Sequence, residues 1–390
     1  AEIDAMLAEA SSDPAVLTWA IERKVDRLLE RGDTSGAAAL LEQTRPAFEA
    51  TPHRPDWLYL NALTSFHRED YDQVERTIRW LRDDVTPAGD RQAKVDWLMG
   101  RLEYQQHRPV SALIAYEDVL SRYVVGPYVS ACRLGQAEAL AALERYEEAA
   151  TAYEQVIELV RSGRQGRLVD ATAVQASLYS LFASLRDQGR LAEALGFIEL
   201  AVAIADPADE DRLALFLDQA AWTHEALGEL SLATARDMDA PAARAGAMQA
   251  GRNHYAAAAA TLDRLTAIRM AKPALAAEAA WRAAVDYDLA GRRDDVISRL
   301  TTFIQVYPHH EQTPEALYRL GTVYQARGES RPAIAVYRPL LRTHPRTLAA
   351  FDAYGPLSQC FLSLGEEYLD QAEQTLLMVV EQDPTEPGYF

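Results

Sequence analysis

The sequence predicts an all-α solenoid of about ten helical hairpins. Three observations carry this: a repeated helix, turn, helix, stop pattern; a small residue returning at a near-constant interval; and a folded-protein composition on a chain too long for one ordinary core. The pattern is plainest in TPEALYRLGTVYQARGESRPAIAVYRPLLRTHPR, residues 313–346. Leu317, Leu320, Gly321 and Tyr324 recur at helical spacing, and Gly328 interrupts them. Ala333, Tyr337 and Leu340 recur again, and Pro345 stops the unit.

Taken in chain order, residues equivalent to Ala333 fall at Ala37, Val74, Ala112, Ala149, Ala194, Ala233, Ala258, Val296, Ala333 and Ala372. The ten anchors are 37, 38, 37, 45, 39, 25, 38, 37 and 39 residues apart. Each is Ala or Val because the two helices of a hairpin cross there, at axial separations of about 8–10 Å. Four residues on stand Leu41, Ile78, Tyr116, Tyr153, Ile198, Leu262, Leu300, Tyr337 and Leu376 on the same face, broken by Asp237. Five residues before the anchors, Gly32, Gly189, Gly228, Gly291 and Gly328, with Asn253, suit the left-handed residue that ends a first helix. Pro52, Pro87, Pro127, Pro207, Pro273, Pro308, Pro345 and Pro384 follow the second helices, which they cannot continue.

The 25-residue interval predicts a departure. Between Ala233 and Ala258, with Pro241 midway, a shortened helix or kinked junction is expected at 237–252. It divides an N-terminal solenoid, 1–236, from a C-terminal one, 253–390.

The chain has 390 residues, 49% hydrophobic and 25% charged, and a repeat lets one core extend along a line. A net charge of −19 argues against nucleic acid and against anionic membrane as partners. The lysines are Lys24, Lys94 and Lys272, none after a glycine, so a phosphate-binding Gly-Lys-Ser/Thr loop is absent. Cys132 and Cys360 form no ligand pair or disulfide framework and read as small core residues. No run of about 18 apolar residues is present, so no membrane insertion is expected. The opening AEIDAMLAEA has neither a charged nor an apolar leader, which fits a cytosolic protein or one whose export signal has been removed.

The markers Leu320, Gly321, Tyr324, Gly328, Ala333, Tyr337, Leu340 and Pro345 resemble the tetratricopeptide repeat, most strongly in the hairpins anchored at Ala112, Ala149, Val296 and Ala333. The resemblance implies a right-handed superhelix that binds protein or peptide partners along its concave face. The wording PHHEQTPEALYRLGTVY is similar to the bacterial cell-envelope branch of that family, implying a periplasmic scaffold in envelope assembly, division or export. A cytosolic peptide-sensing regulator and an accessory domain of a larger enzyme are the alternatives.

Hydrolase, zinc-protease and dinucleotide signatures are missing, so no catalytic, metal or cofactor residue is assigned and the chain is read as no enzyme. His309 and His310, near Glu311 and Glu315, match no zinc spacing and read as a solvated loop. His67, His107 and His254 are placed at inter-helix turns.

Partner-binding candidates come from two columns of the first helices. Fifteen residues before the anchors stand Tyr59, Trp97, Tyr179, Trp281 and Tyr318, with Leu134 and Leu357. Four residues on stand Leu63, Arg101, Glu138, Ala183, Trp222, Val285, Thr322 and Phe361. In the resembled family these positions line the concave groove, so Tyr59, Trp97, Arg101, Tyr179, Trp222, Trp281, Tyr318 and Thr322 are the expected contacts. Rings at helical spacing also suit a core, and exposure decides between the two readings. Asn61 and Asn253 share no column with a lysine, so the carboxylate clamp of chaperone-binding relatives is not expected.

Arg331, Arg338, Arg342 and Arg346 share a helix face, whereas residues 351–390 hold eight acidic residues and no Lys or Arg. Such a pattern reads as a solvated face with weak inter-repeat ion pairs. The last helix, QAEQTLLMVVEQDP, is as apolar as an interior one. The expectation is that the chain continues past Phe390, or that a partner or second copy covers this flank.

Overall fold

The computed structural model describes residues 14–84, 90–126, 128–164, 166 and 168–381. Among these residues there are 18 α-helices and no strand. The chain divides into two compact units, Ala1–Leu181 and Phe182–Phe390. The proposed starts of helix-stopping at Pro87, Pro127 and Pro384 lie outside the described residues.

Unit 1 contains α1 (Pro14–Glu30), α2 (Thr34–Thr44), α3 (Arg54–His67), α4 (Tyr71–Asp84), α5 (Asp90–Gln105), α6 (Pro109–Arg122), α7 (Val129–Ala142) and α8 (Tyr146–Arg161). Its last segment is the beginning of α9 (Ala171–Asp187), which crosses into unit 2. From α1 to α8 each helix packs on the next, and the first helices α1, α3, α5 and α7 also pack on one another in sequence. That pairing is an α-solenoid, in which a hairpin buries its flank against its neighbour.

Unit 2 continues with α10 (Leu191–Ile204), α11 (Glu210–Arg236), α12 (Pro241–Ile268), α13 (Pro273–Leu289), α14 (Arg293–Val306), α15 (Thr313–Ala326), α16 (Ser330–Thr343), α17 (Leu348–Leu364) and α18 (Leu369–Glu381). Neighbours in this order pack together from α10 onward, and α15 also meets α17.

Nine anchors are sealed at the helix crossings. Ala37, Val74, Ala112, Ala149, Ala194, Ala258, Val296, Ala333 and Ala372 are each at most 2% exposed. Ala233, by contrast, is exposed on α11. The structure therefore holds nine hairpins rather than ten among its described residues, and the irregular junction expected at 237–252 is not there. Only 237–240 turn, and Pro241 opens α12 at the first helical position, where its missing N–H is no loss. Gly228 and Asn253, read from the sequence as turn residues, both lie inside helices. Gly228 serves packing instead, since a Cβ there would stand 2.9 Å from the ring of Tyr255 on α12.

The turns explain the near-constant period. Gly32, Gly189, Gly291 and Gly328 all have φ near +75°, and Glu69, His107 and Glu144 adopt the same left-handed conformation at the equivalent positions. At His107 the backbone N–H bonds Tyr104 O (3.0 Å), and the next N–H, Arg108, bonds Glu103 O (2.9 Å). This is the paired closure of a helix C-terminus by a left-handed residue. A non-glycine residue there bears a steric cost that glycine escapes. Glu69→Gly, His107→Gly and Glu144→Gly are each expected to stabilise unit 1 by about 0.5–1 kcal/mol, net of glycine's greater chain entropy. The check is a higher urea midpoint at unchanged slope.

Tyrosines of the second helices set the inter-hairpin spacing. Tyr116 on α6 is fully buried between Gly100 of α5 and Gly135 of α7, across two hairpins, while Tyr337 on α16 is buried against Gly321 of its own hairpin partner α15. Cys132 and Cys360 are buried, and burial raises both thiols above their ordinary range, as suits small core residues.

Candidate partner-binding faces

In unit 1 the first-helix column splits by depth. Tyr59 is 3% exposed, with the Lys94 ammonium 5.5 Å over its ring, and burial followed by Tyr128 holds its phenol well above the usual range. It belongs to the core formed with Trp57, Leu60 and Leu98, so the expectation that Tyr59 contacts a partner does not fit its placement. Trp97, one hairpin on, is partly exposed and tilts against Tyr128 at 5.7 Å between ring centroids. Tyr179 on α9 is also partly exposed.

Beside these rings runs a chain of polar contacts across three first helices. Arg101 Nη1 on α5 donates to Glu138 Oε2 on α7 (3.4 Å), and Ser177 Oγ on α9 donates to Glu138 Oε1 (2.9 Å). Tyr153 Oη lies 2.7 Å from Ser177 Oγ and supplies the remaining hydrogen. Burial, then the Glu138 charge, raises the Tyr104 phenol next to this network. Lys94 Nζ donates to Glu22 Oε1 (2.8 Å), joining α5 to α1. Glu22 occupies the aromatic column's position in the first hairpin, 15 residues before Ala37, so the register that gave Trp97 also pointed to it. Lys94 and Ser177 lie off both columns, and no spacing signalled them.

In unit 2 Trp222 on α11 is 43% exposed and is the most open of the proposed rings. Trp281 on α13 is partly buried against Phe303 (5.7 Å), with the Arg319 guanidinium 5.8 Å over it. Arg319 is in turn held by Glu315 (2.8 Å) and Asp288 (3.3 Å). Tyr318 is partly buried, 6.4 Å from the Tyr337 ring. Thr322 donates its hydroxyl to Arg319 O on its own helix (2.8 Å), which leaves the oxygen's two lone pairs as acceptors.

Next to Trp222 lies an ionic cluster between α11 and α13. Arg282 bonds Glu225 (3.0 Å) and Asp218 (2.7 Å). Asp286, one turn beyond Arg282, is 4% exposed, and its Oδ2 is buried without a hydrogen-bond partner. Burial first, then Glu225, pushes its carboxyl up to about 8.

Three other expectations meet the structure here. His309 is exposed, and His310 packs edge-on against Phe303 at 5.4 Å while its Nδ1 accepts from Gln312 N (3.3 Å). His254 lies within α12, not at a turn. Arg338 sits over the Phe361 ring (5.3 Å) and donates to Gln371 (3.1 Å), so its inter-helix contacts are to neutral groups. No described helix is long and apolar enough to cross a membrane.

Models of the tetratricopeptide repeat match residues 98–167 and 315–347, which cover parts of both units. These two stretches of the chain are tetratricopeptide repeats. It is similar to the apo form of the quorum sensor NprR from B. thuringiensis, at 14% identity over 93% of this chain and 98% of that one, with a TM-score of 0.36. It is also similar to the apo form of RapI, at 8% identity over 94% and 99% of the two chains, with a TM-score of 0.44. A tetratricopeptide repeat protein from Parabacteroides merdae matches at 13% identity over 83% and 98%, with a TM-score of 0.33. No curated protein sequence matches the chain.

Proposed function

We propose that the chain is a non-catalytic scaffold that holds protein or peptide partners on the faces made by its first helices. The observation that carries this reading is the sequence of half-open side chains on α5, α7 and α9, with Trp97 beside the Arg101, Glu138 and Ser177 network. A partly exposed indole beside satisfied polar groups offers large contact area at small entropic cost. In unit 2, Trp222, Trp281, Tyr318 and Thr322 supply the equivalent contacts. Tyr59 supports this face from within the core, under Lys94.

The test places a photo-crosslinking residue at position 97, and at Ile114 on α6 as a control, in cells expressing the full gene product. The reading expects one defined adduct from position 97 that is absent from position 114. Trp97→Ala and Trp281→Ala are expected to weaken capture of that identified partner about tenfold, with helical signal and melting cooperativity retained. Loss of cooperativity in step with capture would show instead that the rings are core. An envelope location is proposed from the wording of residues 308–324, and fractionation of the same cells tests it.

A further inference from the structure

His224 on α11 and His254 on α12 take part in neither face. The two helices are 27 and 28 residues long, against 11–17 for the others described, and from Glu229 to Ala250 only Ala235 is buried. The histidines thus sit at the root of a long exposed hairpin. Their Nδ1 atoms are 3.2 Å apart, with ring centroids 5.5 Å apart. On the far side of the His224 ring, Nε2 faces Glu199 Oε1 of α10 at 3.4 Å.

That spacing is the bite of a metal ion. Two imidazole nitrogens, each about 2.0–2.1 Å from a tetrahedral zinc, stand about 3.3 Å from one another. A carboxylate at the other nitrogen of a ligating histidine fixes the ring's tautomer and raises its basicity, which is the place Glu199 takes. With Nε2–H directed at Glu199, His224 presents a bare Nδ1 lone pair. Without an ion, His254 must donate its own Nδ1–H into that lone pair; with one, His254 takes its other tautomer and both lone pairs converge. Glu199 from α10 and Arg264 from α12 are the charged groups around an adjoining cavity of about 300 Å³, which Leu217 and Thr261 also line. Among the described residues no group of three or more His, Cys, Asp or Glu could hold a metal ion, so this is a two-point site.

We propose that His224 and His254 together bind a divalent first-row transition ion through their Nδ1 atoms, with water in the remaining positions and Glu199 as the positioning residue. Imidazole donors suit zinc, copper and nickel. Such an ion joins α11 to α12 and clamps the long hairpin at its root.

The experiment uses the full chain, freed of metal by a chelator and titrated with Zn²⁺. The expected result is saturable binding at one ion per chain, with a rise in melting temperature that EDTA reverses. Co²⁺ in place of Zn²⁺ is expected to give the visible absorption bands of a four-coordinate site. His254→Ala, at a partly exposed position, abolishes both signals, and His254→Cys restores them with an added thiolate-to-cobalt band. Glu199→Gln weakens binding 10–100-fold without changing the helical signal. The proposal is overturned if zinc leaves the melting temperature unchanged, or if the shift persists when both histidines are replaced by alanine.

Discussion

Gly100→Ala is expected to destabilise unit 1 by about 1–2 kcal/mol, although alanine is the better helix former. An added Cβ would lie 2.4 Å from Cε1 of Tyr116, well inside van der Waals contact. The ring has nowhere to retreat, because Gly135 bounds its other side and a Cβ there would also lie 2.4 Å from it. Overpacking of this kind costs about 1–3 kcal/mol, while replacing a helical glycine with alanine returns about 1 kcal/mol. Gly246→Ala on α12 isolates that second contribution, since nothing lies within 4 Å of its added Cβ. The same substitution should therefore stabilise at 246 and destabilise at 100, with urea unfolding as the measure. A double-mutant cycle with Tyr116→Leu assigns the cost to the ring: the smaller side chain should recover most of the loss caused by Gly100→Ala.

The fold was legible because its markers answer to backbone and packing constraints that leave few residue choices. Left-handed turns at Gly32, Gly189, Gly291 and Gly328 and sealed alanines at the crossings were readable one by one. Glu69, His107 and Glu144 hold the same turn without glycine, so their residue types gave no sign of it. The error at Ala233 has the same origin. Gly228 serves close approach to Tyr255, yet in sequence it looks like a turn glycine; Asn253 and His254 looked like a turn from their place before Ala258, through which the long α12 runs unbroken. Depth was less legible than position. Tyr59 and Trp97 are register equivalents, but Tyr59 is sealed under Lys94 of the next first helix while Trp97 stays partly open. That difference lies in neighbours from other hairpins, which no single column contains. The histidine pair was hidden for a related reason, since its members are 30 residues apart on antiparallel helices rather than at one helical spacing.

Asp286→Asn is expected to stabilise unit 2, and to do so only above mildly acidic pH. Asp286 is 4% exposed, with one carboxyl oxygen unpartnered, and burial ahead of Glu225 raises its folded pKa to about 8. In the unfolded chain an aspartate titrates near 4. Between those values the folded state holds a proton that the unfolded state has released, so stability falls as pH rises through this window. Below about 4 both states are protonated and the aspartate costs nothing; above about 8 the full penalty is present. Asparagine carries no proton to lose, so its advantage should be near zero at pH 4, grow through neutrality and level off above 8, reaching on the order of 2–4 kcal/mol. Were Asp286 instead ionised and held by Arg282, the substitution would remove a favourable charge and destabilise at neutral pH, the opposite sign. Arg282→Met supplies the companion measurement. Glu225 and Asp218 both depend on that guanidinium, so its loss should destabilise the unit and raise the Asp286 carboxyl further, moving the variant's pH dependence of stability to higher pH than the wild type's. Urea unfolding of the wild type, Asp286→Asn and Arg282→Met from pH 4 to 9 separates the two states of the cluster by the sign of the slope.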